Sequence, residues 1–180
     1  KEGINITCEA TPHHFSFSDD EILKNAYDTN FKMSPPLREI SDVKAVREAL
    51  KSGLIDVIAT DHAPHHTDEK IVEFDKAPFG IIGLQTLVPL TLKLVNEGVI
   101  SLERMVELTS TNAAKMLNLK DKGKLAEGML ADIAVIDPEI EYVYDEKINR
   151  SKSINSPLFG KKLKGAATTT IKSGKIVYEF

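Results

Sequence analysis

The sequence holds a single cysteine, Cys8, so no disulfide can close within the chain. No stretch has the form of a charged and then apolar leader, and no apolar run is long enough to span a bilayer. Dense runs of lysine or arginine are also missing, and 27 acidic residues against 23 basic ones leave a net charge of -4. Nucleic acid and anionic membranes are therefore not expected as partners. Internal repeats and low-complexity segments are absent. A soluble chain in a reduced, cytoplasmic setting is the expectation. Within the apolar run from Ile4 to Ala10, the Cys8 thiol is expected to be packed and inert. The chain opens on Lys1-Glu2-Gly3 rather than Met, with apolar residues from Ile4 onward, which reads as a segment of something longer.

What is present is enough for a sizeable core, with 42% hydrophobic and 28% charged residues in 180. Asn5 to Ala10 alternates imperfectly between Gly3 and Pro12 and reads as a short strand. Ser18 and Glu21 have the spacing of a capping box, with Ile22, Leu23 and Ala26 as the apolar side of a helix. Met33-Ser34-Pro35-Pro36-Leu37-Arg38 must be an ordered loop, because each proline lacks a donor and disfavours helix in the residue before it. From Asp42, Val43, Val46 and Leu50 recur at helical spacing up to Gly53, a left-handed cap. Leu54-Ile55-Asp56-Val57-Ile58-Ala59 then has the composition of a parallel strand buried on both faces. Helical patterning resumes from Leu84 to Val95, with Pro89 as a kink and Gly98 as a stop. Ser101 to Leu108 and Thr111 to Leu117 read as two shorter helices, each opened by a hydroxyl residue. This alternation argues for an α/β layer. After Leu119 the runs Ala131 to Ile136 and Ala167 to Ile171, with Ser173-Gly174 as a hairpin turn, read as a β-rich appendage. The expected division is residues 1–119 and 120–180.

Four of the five histidines come as adjacent pairs, His13-His14 and His65-His66, and the fifth, His62, follows Asp61. On extended backbone, adjacent side chains face opposite ways, so at most one of each pair would point at a shared centre. Any single loop histidine is by default a cap bonded to backbone. Asp61 is different, since a carboxylate at the C-terminal end of a buried parallel strand stands where barrel enzymes place catalytic groups. Its bland alternative is to cap the loop that follows.

Thr60-Asp61-His62-Ala63-Pro64-His65, the Met33 to Arg38 loop, Thr11-Pro12-His13-His14, Ala77-Pro78-Phe79-Gly80 and Ser151-Lys152-Ser153-Ile154-Asn155-Ser156-Pro157 occur in the order and approximate spacing of bacterial-type dihydroorotases. The chain resembles that family over essentially its whole length, including the turn from Gly128 to Asp132 common to the wider amidohydrolases. The resemblance implies the C-terminal part of a distorted (β/α)8 TIM barrel plus the C-terminal strands of a small β-sandwich. It implies two zinc ions in the intact active site, and a substrate pair of dihydroorotate and carbamoyl aspartate. Asp61 matches an aspartate that ligates one metal, takes the proton of the bridging hydroxide and passes it to the leaving nitrogen. His65 matches a histidine that binds the substrate carboxylate, and the backbone amides of Phe79 and Gly80 match further donors to it. Ser34 stands where the family commonly has a substrate-binding asparagine, so that contact is expected to be water-mediated or lost.

The family's His-x-His pair, its bridging lysine or aspartate and two further histidine ligands have no counterpart in this sequence. His13 and His14 read as loop-ordering residues rather than substitutes. Because a catalytic zinc takes three protein ligands and a complete barrel needs ~250 residues, these residues alone are expected to be inactive and not to retain metal. Two alternatives stay open. One is another cyclic amidohydrolase such as an allantoinase or dihydropyrimidinase. The other is an inactive dihydroorotase-like subunit supporting aspartate transcarbamoylase. The resemblance also leaves open a homodimer.

Overall fold

A computed structural model describes residues 3–4 and 6–180 of the chain. Asn5, where the first expected strand opens, lies outside the described residues. Strands β1 (Glu9–Ala10) and β2 (Val57–Ile58) pair in parallel, Glu9 opposite Val57 and Ala10 opposite Ile58. A parallel pair requires a crossover. Here it consists of α1 (Pro12–Ser16), α2 (Asp20–Lys24), a 3-10 turn (Thr29–Phe31) and α3 (Ile40–Ser52). The expected strands shrink to two paired residues each, although Asp56 N–H donates to the Cys8 carbonyl and Ala59 N–H to that of Ala10, both at 3.0 Å. Ile55, Val57 and Ile58 are buried, as a strand covered on both faces requires, while Leu54 is exposed.

Helix α3 buries Val43 and Leu50 and stops at Gly53 in the left-handed conformation, as the sequence predicts. The capping box at Ser18 does not form. Ser18 is buried, α2 starts at Asp20 without a side-chain cap, and the helix is too short to bury any residue before Ala26 and Tyr27 turn the chain at positive φ. Cys8 is exposed rather than packed, its Sγ donating to the Leu54 carbonyl at 3.0 Å.

After α4 (Thr67–Lys70), helix α5 (Leu87–Asn96) buries Leu90, Thr91, Leu92 and Leu94. Pro89 sits in its first turn, where an amide has no intrahelical acceptor, so the absent donor costs nothing and no break follows. The two helices expected beyond Ser101 are one continuous run. α6 (Leu102–Val106) passes through a π turn (Glu107–Thr111) into α7 (Asn112–Met116). Ser101 Oγ caps this run by accepting from Arg104 N–H at 3.1 Å. Thr111 instead stays helical and donates its hydroxyl to the Gly123 carbonyl.

Strands β3 (Ile133–Val143), β4 (Lys162–Lys172) and β5 (Lys175–Glu179) form an antiparallel sheet in that order. Pro138 lies in β3 where the register shifts between Asp137 and Glu141, a place that tolerates a missing donor. Ser173 (φ 49°) and Gly174 (φ 76°) make the two-residue turn between β4 and β5, both left-handed as this hairpin type demands. Asp132 locks the turn, binding Lys122, Lys172 and the Ser173 N–H; those donors hold its carboxyl well below the usual carboxylate range. One apolar cluster joins Phe15, Leu50, Ile58, Leu92 and Leu108 to Tyr144, Leu158 and Leu163. Among the described residues no helix is long and apolar enough to cross a membrane.

Candidate active-site loops

Strand β2 delivers Thr60 and Asp61 to its C-terminal end. Asp61 is exposed and adopts φ 47°, a left-handed conformation uncommon outside glycine. The loop that follows is held by a second loop, residues 79–83, running beside it. Ala63 N–H donates to the Ile81 carbonyl at 2.9 Å, and Gly83 N–H to His62 Nδ1 at 3.0 Å. The approach is close enough to require glycine at two points. A Cβ on Gly83 would stand 2.9 Å from the Thr60 carbonyl oxygen, and one on Gly80 (φ 97°) 2.7 Å from Ala63 Cβ.

Each histidine has an identifiable place. His65 Nε2 lies 2.9 Å from the Phe79 carbonyl, which can only accept, so that nitrogen carries a proton; Nδ1 lies 3.5 Å from Glu69 Oε2. His66 is the N-cap of α4, accepting from Asp68 N–H while Glu69 returns a bond to the His66 N–H. His14 Nε2 donates to the Pro35 carbonyl at 2.8 Å and its Nδ1 takes the Thr11 hydroxyl at 2.6 Å, tying α1 to the proline loop. His13 and His14 are helical, not extended, so the opposite-faces rule does not apply and their ring centroids are 4.4 Å apart. His13 is buried. Burial first, and the neighbouring His14 second, push its pKa down to about 3.

Phe79 is exposed, with Lys32 Nζ 4.8 Å from its ring centre. The Gly80 N–H donates to the Lys32 carbonyl at 2.9 Å. Met33 and Leu37 anchor the proline loop by packing with Phe31 and Ile81, and they leave Ser34 exposed between them. The structure thus joins His65, Phe79, Gly80 and the Asp61 loop through hydrogen bonds, and adds the Ser34 loop through the packing of Ile81. A separate cleft of about 460 Å³, lined among others by Asp28, Asn30, Lys70, Asn155 and Lys161, does not include Asp61.

Two organising residues escaped the sequence reading. Lys70 is buried, and its Nζ donates to the carbonyls of Pro78 and Gly80. Desolvation pulls its pKa down to about 8. Asn155 is buried and bonds both loops at once. It sits inside the motif from Ser151 to Pro157, which was a signal without an assigned role; Lys70 carried none.

A metal centre does not fit these residues alone. Among the described residues no three His, Cys, Asp or Glu side chains converge as a ligand set, and Asp61 offers a single carboxylate.

Residues 10–177 match the amidohydrolase family. The chain is 52% identical over 98% of its length to a dihydroorotase of Geobacter metallireducens and 50% identical over 98% to one of Pelobacter propionicus. It spans 41% of the length of each. Among solved structures, an L-hydantoinase (dihydropyrimidinase) from Arthrobacter aurescens matches with a TM-score of 0.88 and 30% identity, covering 99% of this chain and 40% of that one. These likenesses make the fold part of a TIM-barrel-type α/β architecture.

Proposed function

Because the chain belongs to the amidohydrolase family, we propose that it forms the C-terminal part of a dihydroorotase, which opens the ring of dihydroorotate to carbamoyl aspartate and closes it in the reverse direction. The observation that carries this reading is identity of 52% and 50% to dihydroorotases over 98% of the chain, against 30% to the hydantoinase of similar fold. Residues 1–119 then supply barrel wall, and 120–180 supply strands of a composite β-sandwich, a division supported by the antiparallel sheet of β3 to β5.

Asp61, at the strand end, is the residue that accepts a proton from the attacking water and returns it to the leaving nitrogen; its exposure leaves the carboxylate open to both. The proposed substrate carries a carboxylate. With Nε2 already donating to Phe79, the His65 ring presents its Nδ1 edge to that anion, in the place Glu69 now approaches. The amides of Phe79 and Gly80 complete the anion site, Gly80 exchanging its present bond to Lys32 for one to substrate. Ser34, exposed on the adjoining loop, reaches the ring through water. Zinc belongs to the proposal for the whole protein in a cytoplasmic setting, and its remaining ligands would lie outside these residues.

The test is turnover of dihydroorotate, dihydrouracil and allantoin by the full-length protein and its Asp61→Asn variant. Hydrolysis of dihydroorotate is expected, falling by about 10²–10⁴-fold in the variant. Turnover of dihydrouracil or allantoin without dihydroorotate would transfer the protein to another cyclic amidohydrolase. Turnover of none would support a non-catalytic subunit.

A further inference from the structure

Two buried side chains with no role in the proposed chemistry converge on one backbone atom. The Gly80 carbonyl accepts from Lys70 Nζ at 3.1 Å and from Asn155 Nδ2 at 3.3 Å. Asn155 reaches further. Its Nδ2 donates to the Ala63 carbonyl at 2.9 Å, its Oδ1 accepts from His65 N–H at 3.2 Å, and its own carbonyl accepts from Ile82 N–H at 3.1 Å. One residue from the connection between β3 and β4 therefore bonds to both loops, on either side of their contact. Lys70 grips one loop alone. Its Nζ also donates to the Pro78 carbonyl at 3.0 Å, while its own carbonyl accepts the Thr29 hydroxyl at 2.6 Å.

We infer that Asn155 and Lys70 are positioning residues for the proposed reaction, together fixing the distance between the loop that carries Asp61 and His65 and the turn at Phe79 and Gly80. Lysine side chains ordinarily run to the surface, so a lysine 7% exposed that spends its donors on two carbonyls bears a desolvation cost that packing alone does not require. Asparagine at 4% exposure satisfies both its amide ends on the loop that carries Asp61 and His65 while its Nδ2 also reaches the Gly80 carbonyl of the other, which a purely apolar filler could not do. Gly80 is consequently held at its carbonyl by two donors that stay in place when its N–H leaves the Lys32 carbonyl for substrate. Ring opening needs the proton shuttle on one loop and the anion site on the other to meet a single small substrate, and a displacement of about 1 Å between them costs on the order of 10²-fold in rate.

The inference rests on the dihydroorotase reading for its kinetic readout and not for its structural one. In the full-length protein, amide hydrogen exchange of residues 60–66 and 78–83 is compared among wild type, Asn155→Ala, Asn155→Ser, Lys70→Met and Lys70→Arg. Asn155→Ala is expected to speed exchange about tenfold in both segments, as loss of one or two buried hydrogen bonds implies, with Asn155→Ser intermediate. Lys70→Met is expected to speed exchange in 78–83 only, and Lys70→Arg, which keeps donors, to restore part of the protection. In steady-state assays with dihydroorotate, Lys70→Met raises KM about tenfold and Asn155→Ala lowers kcat/KM on the order of 10²-fold. A merely structural role would reduce the folded fraction and hence kcat while leaving KM unchanged. Exchange that stays at wild-type rates in both segments, or rises evenly along the chain, overturns the clamp. Unchanged KM in an active Lys70→Met enzyme overturns the positioning role. A wild type that exchanges as expected but does not hydrolyse dihydroorotate leaves the clamp standing and removes the functional reading.

Discussion

His13 should make this protein acid-sensitive over a defined range. Its imidazole is 3% exposed in α1 and its pKa lies at about 3, against 6.5 for an ordinary histidine. Between those values the unfolded chain binds a proton that the folded chain refuses, so stability rises with pH and is lost as pH falls. The slope is about 1.4 kcal/mol per pH unit for one proton. Acidifying from pH 6.5 to pH 5 then removes roughly 2 kcal/mol, and the whole interval to about 3 amounts to roughly 5 kcal/mol. A typical domain has about 5–15 kcal/mol in total, so this one group can decide whether the fold survives mild acid. Replacing His13 with leucine keeps a buried side chain of similar size and removes the titration. Urea unfolding of both proteins at pH 7, 6 and 5 should show the wild-type free energy falling more steeply below pH 6.5, with the two curves diverging by roughly 2 kcal/mol at pH 5. Parallel curves would show that His13 takes up its proton in the folded state and would refute the reasoning.

Lys70 acts in the same direction in a more alkaline range. With its pKa pulled from 10.5 to about 8 the folded protein gives up a proton that the unfolded chain retains, so stability should climb by about 1.4 kcal/mol per pH unit between those values in wild type and stay flatter in Lys70→Met, read by urea unfolding at pH 8 and 10. Asp132→Asn should lower the melting temperature at pH 7, and the gap should narrow progressively as pH falls below 3.8, where the carboxyl of the unfolded chain takes up a proton that the folded one still resists; a gap that persists undiminished in acid would mean that the charge of Asp132 is not what holds the turn. Gly83→Ala places a Cβ 2.9 Å from the Thr60 carbonyl, so the two loops must separate at a cost of about 1–3 kcal/mol, seen as a lower urea midpoint; an unchanged midpoint would contradict that contact.

Helix α3 and the last hairpin were legible because each is written in local terms. Val43, Val46 and Leu50 lie on one helical face with a glycine after it, and Ser173-Gly174 is a turn whose φ values few other residue pairs tolerate. The apolar run from Leu54 to Ala59 was equally visible, but its paired length was not, because pairing depends on the partner strand rather than on the run itself. The continuous helix from Leu102 to Met116 was misread at Thr111 for a related reason: a hydroxyl residue can cap a helix or stay inside one and bond elsewhere, and Gly123, twelve positions on, decides which. Ser18 with Glu21 shows the same limit, since the capping-box spacing was present and the helix too short to use it.

Within the candidate site, the residues that were legible are those whose side chains have few other uses. A carboxylate at a buried strand end stands out by type, which is how Asp61 could be singled out from residue identity and position, whereas His65 entered only through the resemblance to dihydroorotases. Lys70 and Asn155 act on the carbonyls of Ala63, Pro78 and Gly80, and every residue of every protein has a carbonyl, so the acceptor leaves no mark in the sequence. The donor is no more telling, since lysine and asparagine are ordinary surface residues. What exposes them is burial, 7% and 4%, which depends on how the segment between β3 and β4 folds back against loops some 75 to 92 residues earlier in the chain. Side chains that orient backbone are therefore the part of such a site that a single sequence conceals, and here they are the residues on which the spacing of the two loops depends.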